Sequence, residues 1–122
     1  MTKYYHTLPV EYFDAQMSED EYIPYYSKIG CPATWLCKTK HESVLASQTE
    51  ASNKVIMEIE LDPNKVEDHS DMPICERTGF KYYIYRGNIP KKLITNLTYF
   101  KNPLSDDELR ALWMEYVMES IK

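Results

Sequence analysis

One stretch limits the fold more than any other. Residues 54–61 read Lys-Val-Ile-Met-Glu-Ile-Glu-Leu, so Val55, Met57, Ile59 and Leu61 fall on one face and Glu58 and Glu60 on the other. A period of two in apolar residues marks a strand with one covered face, whereas a helix would scatter the same side chains around its axis. Asp62-Pro63-Asn64 then turns the chain. Such a strand needs neighbours for its amides and a second layer over its apolar face. The rest of the 122-residue chain has to supply both, and that length suits a single domain, 1–122.

Candidate partners lie on both sides. Residues 3–8 predict a first strand halted by Pro9, and residues 10–17 a helical turn or short helix. Tyr22 to Lys28 reads as extended and is punctuated by Gly30 and Pro32. Residues 33–38 predict a short strand. Thr39 and Glu42 have capping-box spacing, which predicts a helix to about Ala51 with Val44, Leu45 and Gln48 inward. Residues 65–79 read as a loop. Phe80 to Arg86 predicts a tyrosine-rich strand broken by Gly87-Asn88, with Pro90 opening a short helical turn and residues 94–100 a further strand. Ser105 and Glu108 form a second capping box, with Asp106 and Asp107 at the positive end of the helix. Leu109, Leu112, Trp113, Tyr116 and Val117 recur at helical spacing behind it. The class expected is α+β: a mixed, mostly antiparallel sheet, a capped helix after the second strand, and a C-terminal helix packed on the sheet.

Composition excludes more than it assigns. A formal charge of −5 disfavours non-specific nucleic-acid binding, which relies on Lys and Arg. No stretch approaches the about 20 apolar residues of a membrane span, and the first residues lack the apolar core of a secretory signal. Three cysteines, Cys31, Cys37 and Cys75, are an odd number, so free thiols in a reducing, cytoplasmic setting are expected. With His41 they offer soft ligands, but no C-x-x-C or paired-His spacing organises them, and no metal site is expected. Three glycines leave no phosphate loop, no G-x-G-x-x-G and no G-x-S-x-G. Eleven tyrosines, against three phenylalanines and two tryptophans, suit sheets and wet binding surfaces.

One ordered set of residues is more specific. His6-Thr7 sits on the first strand and Trp35 on a later one, followed by the capped helix. The strand 55–61 then runs into Asp62, and Tyr82 leads through Gly87 to Ile89-Pro90 and Ile94. In that order these pieces resemble the ADP-ribosyltransferase-like fold, near small relatives of the DNA thymidine ADP-ribosyltransferase toxins and the RNA 2′-phosphotransferases. The resemblance spans about residues 4–95. It implies NAD as cofactor, held by His6, Thr7, Trp35 and Tyr82. The family's catalytic acid would fall at Tyr82, which carries no charge at neutral pH. Glu76 lies upstream and serves as the acid only in a shifted register. The resemblance therefore implies binding of NAD or an ADP-ribosyl-type nucleotide, with transfer altered or absent.

An alternative of another class is a small acidic inhibitor or interaction protein. There the Ser18–Glu21 stretch and exposed tyrosines would form an interface that occludes a protein partner.

Overall fold

The structure is a computed structural model that describes residues 1–25, 30–47, 53–71, 79–101 and 104–120. Among the described residues, eight strands and three helices follow in order. They are β1 (Thr2–Pro9), α1 (Val10–Gln16), β2 (Glu21–Tyr22), β3 (Ala33–Leu36), α2 (Lys40–Ala46) and β4 (Asn53–Leu61), then β5 (Glu67–Asp68), β6 (Tyr83–Arg86), β7 (Ile89–Pro90), β8 (Ile94–Lys101) and α3 (Asp106–Ser120). Short 3-10 turns occupy Pro63–Lys65 and Lys91–Leu93. The class is α+β, and every strand pair among the described residues is antiparallel. No helix among them is long and apolar enough to cross a membrane.

The alternating strand β4 sits at the centre of the sheet β1-β4-β8. Its register with β1 sets Tyr4 opposite Ile59, His6 opposite Met57 and Leu8 opposite Val55, so these side chains share one face. Phe13 of α1, Tyr22 of β2, Leu36 of β3 and Ile89 of β7 close over that face as one apolar cluster. Each aliphatic side chain fully buried there contributes about 1.5–3 kcal/mol. The opposite face is partly covered too. Thr7 and Ile56 are buried there. Lys54 is also buried, its ammonium donating to the Ser47 carbonyl after α2, and burial pushes its pKa below the usual lysine range.

A second sheet, β3-β6-β5, joins the first at one point. Tyr5 and Cys37 exchange both backbone hydrogen bonds, at 2.8 and 2.9 Å, as an isolated bridge. A third ribbon, β2-β7, lies over the core. Gly87, at φ 85°, takes the left-handed turn after β6, and its amide donates to the Pro32 carbonyl at 2.9 Å.

Three local expectations are corrected. The helix α2 starts at the predicted cap, where Glu42 N donates to Thr39 Oγ1 at 3.1 Å, but ends at Ala46. Its inward side chains are Glu42 and Ser43, not Leu45, which is exposed. Glu42 faces inward because its carboxylate accepts from the Thr39 hydroxyl and from the Lys81 amide. The loop 65–79 contains a strand, β5, which pairs with β6. The C-terminal helix α3 has the predicted reciprocal cap between Ser105 and Glu108 but meets the domain through α2. Trp113 packs edge-on against His41 and Glu115 faces Lys40, leaving Leu109, Met114 and Met118 exposed rather than docked on the sheet.

Candidate functional site

The site begins where two strands diverge. Antiparallel register from the Tyr5–Cys37 bridge would set Thr7 opposite Trp35 at the next rung. Instead the Trp35 carbonyl accepts a hydrogen bond from His6 Nδ1 at 2.6 Å. The ladder stops, β1 and β3 separate, and a cleft of about 730 Å³ opens between them. Its walls include His6, Thr7, Trp35 and Tyr82, drawn from β1, β3 and the approach to β6. Tyr5, Tyr22 and Tyr25 add to its lining.

The state of His6 follows from its partner. A carbonyl oxygen only accepts, so Nδ1 carries the proton. Burial holds the imidazole below its ordinary pKa, an effect larger than the opposing pull of the Trp35 carbonyl. The neutral ring therefore keeps an unprotonated Nε2 as a hydrogen-bond acceptor.

Thr7 is fixed differently. Ser43 Oγ donates to the Lys40 carbonyl at 3.0 Å, which uses its single proton. The 2.8 Å contact between Thr7 Oγ1 and Ser43 Oγ thus has Thr7 as donor. The Thr7 hydroxyl is committed to α2, on the face opposite His6. Strand alternation aims the Thr7 amide and carbonyl toward the same open edge as those of Tyr5.

Trp35 is half-buried, with its ring edge-on to His69 at 5.9 Å between centroids. The Tyr82 carbonyl is held by the His69 amide at 2.9 Å, which secures the segment entering β6. Glu76, the candidate catalytic acid, lies outside the described residues, as does Cys75. No Asp or Glu side chain is among the described residues lining the cleft. Among the described residues no group of three His, Cys, Asp or Glu is placed to hold a metal ion.

Two features of the lining had no motif to announce them. The Tyr22 hydroxyl donates to Gln16 Oε1 at 2.7 Å, and burial pushes the Tyr22 pKa well above the usual tyrosine range, with Tyr25 adding to the shift. Thr34 is buried beside Trp35. A lone Gln on a short helix and a lone Thr in a strand carry no signal in the sequence.

Outside the cleft, Arg86 grips Glu67 through Nε and through Nη2, the latter at 3.0 Å, and also donates to Cys31 Sγ at 3.1 Å. The guanidinium holds Glu67 below the usual carboxylate range. This cluster fastens β5 and the segment before β3 to β6.

No family model, curated protein or solved structure matches this chain.

Proposed function

We propose that the cleft between β1 and β3 binds NAD or an ADP-ribosyl-type nucleotide, with transferase activity altered or absent. The supporting observation is convergence: His6, Thr7, Trp35 and Tyr82, separated by up to more than half the chain, line one cleft of about 730 Å³. That volume falls within the range of about 300–1,000 Å³ common to small-molecule sites. Aromatic walls suit a base or nicotinamide ring, since stacking a heteroaromatic ring on an aromatic side chain contributes about 1–3 kcal/mol. The Nε2 of neutral His6 suits a ribose hydroxyl as donor.

The weak or absent transfer is argued from charge. Breaking a glycosidic bond to NAD passes through a cationic sugar, which a nearby carboxylate stabilises. Tyr82 cannot supply that charge. A competent transferase would depend on Glu76. The proposed setting is cytoplasmic and reducing, in keeping with the odd number of cysteines.

Calorimetric titration with NAD and ADP-ribose, wild type against His6→Ala, tests the binding. Saturable binding lost in the variant supports it, and no binding at millimolar ligand overturns it. An NAD-consumption assay separates binder from enzyme, since turnover abolished by Glu76→Gln would mark a working transferase.

A second proposal rests on the exposed rim of the same cleft. Tyr12 and Tyr25 are about half exposed and pack edge-to-face at 6.2 Å, with the acidic Ser18–Glu21 stretch between them in sequence. An inhibitor using that patch would capture its protein partner equally well with His6→Ala.

A further inference from the structure

Thr34 stands in β3 opposite Tyr85 of β6 and is 2% exposed. Thr34 is among the residues lining the cleft, and its hydroxyl is buried without a hydrogen-bond partner among the described residues. A buried hydroxyl left without a partner is destabilising, and a valine of the same shape would avoid that penalty. A threonine at this point on the wall therefore needs a reason. One staggered step of χ1 moves a threonine hydroxyl to the former position of its methyl or of its Cβ hydrogen, so this hydroxyl can turn toward a ligand while the backbone stays still.

The charge of the wall is the second observation. Tyr5, Tyr12, Tyr22, Tyr25, Trp35 and Tyr82 supply rings, and the polar members are hydroxyl, amide and imidazole groups. No Lys, Arg, Asp or Glu side chain is among the described residues lining the cleft. Phosphate is normally met by guanidinium, ammonium or helix N-terminal amides. Bringing a phosphate against uncharged aromatic walls would strip its water without replacing it by an opposite charge.

We propose that this cleft recognises a phosphate-free nucleoside, whose heteroaromatic ring lies among the tyrosines and whose sugar hydroxyls bond to Thr34 Oγ1 and His6 Nε2. This rests on the nucleotide-binding proposal for the same cleft and narrows it to the portion of the ligand that is read. Any phosphate of a larger ligand lies outside the described lining and adds little to affinity. Thr34 is then the specificity-determining residue, because its hydroxyl gains in the complex the partner it otherwise lacks.

The test is calorimetric titration of the full chain with adenosine and nicotinamide riboside, each beside its monophosphate, and with NAD. Each nucleoside should bind within about threefold of its monophosphate, since the phosphate gains no charged partner. Thr34→Val should weaken nucleoside binding about tenfold, the worth of one hydrogen bond, while its Tm is held or raised. That stability readout separates a lost ligand contact from a damaged fold. Monophosphates binding more than about tenfold tighter than their nucleosides would overturn the inference, because such a gain requires a charged phosphate partner. Unchanged nucleoside binding by Thr34→Val would overturn it too. In both cases NAD binding would leave the nucleotide proposal standing. Failure of all five ligands at millimolar concentration would overturn both.

Discussion

His6 Nδ1 donates to the Trp35 carbonyl across 2.6 Å, on the rung where the β1–β3 ladder would otherwise continue through Thr7. One side-chain bond thus replaces a pair of backbone bonds and holds two strands apart while tying them together. The cleft exists because of that substitution, and its histidine is fixed in one tautomer by it.

Removing the imidazole should therefore cost stability as well as binding. His6→Phe keeps an aromatic ring but leaves the Trp35 carbonyl without its donor. Urea denaturation should show a loss of about 1–3 kcal/mol, the penalty of a buried acceptor left unpaired. A loss below about 0.5 kcal/mol, typical of a neutral surface change, would mean that the carbonyl finds another donor.

Stability should fall on mild acidification. Burial sets the folded-state pKa of His6 below the ordinary value of 6.5. Between the two values the unfolded chain binds a proton that the folded chain refuses, so stability rises with pH in that window. It is complete above pH 6.5 and is lost as pH falls through the folded pKa. Glu67 and Asp68, whose pKa values are lowered by Arg86 and Ser70 respectively, act in a separate, more acidic window below their ordinary 4.5 and 3.8. Denaturation midpoints at several pH values for wild type and His6→Phe should differ in slope near pH 6 and converge in slope above pH 7. Parallel curves throughout would refute the assignment to His6.

The start of α2 should be sensitive at its cap. Thr39 Oγ1 accepts from Glu42 N and its hydroxyl donates to the Glu42 carboxylate. Thr39→Ala should destabilise the protein by about 1 kcal/mol in thermal or chemical melts. Thr39→Ser keeps the oxygen and should stay close to wild type. Equal losses in both variants would point to packing of the Thr39 methyl instead of the cap.

Burial separates two leucine-sized sites. Ile59 in β4 is fully buried in the core, whereas Leu109 on α3 is 41% exposed. Ile59→Ala should cost about 2–5 kcal/mol through lost burial and the cavity left behind. Leu109→Ala should stay within about 0.5 kcal/mol, as surface changes usually do. A comparable loss at both positions would show that α3 docks on the sheet in solution after all.

The features legible in the sequence were those encoded locally. Period two at Val55, Met57, Ile59 and Leu61 names a strand and its buried face, and all four side chains are buried. Thr39 with Glu42, and Ser105 with Glu108, mark helix starts because a side-chain oxygen three residues from an amide acts within one turn. Pro9 and Gly87 stop strands for reasons of their own backbone chemistry. The inward face of α2 was not legible. Val44 and Leu45 look like its apolar side, yet Glu42 and Ser43 turn inward to partners at Lys81 and Thr7, 39 and 36 residues away.

The sequence by itself determined the long strands β1, β4 and β8, where two helices begin, and that one side of β4 is core. Those properties depend on neighbours within a few residues. Only the tertiary structure decided that β1 and β3 join at Tyr5–Cys37 and diverge at the following rung, that Thr34 is buried beside the resulting cleft, and that α3 contacts α2. The choice between another backbone rung and the His6–Trp35 bond is a competition between partners 29 residues apart. It is settled by how the sheets, the tyrosines and α2 pack together, and no local pattern records its outcome.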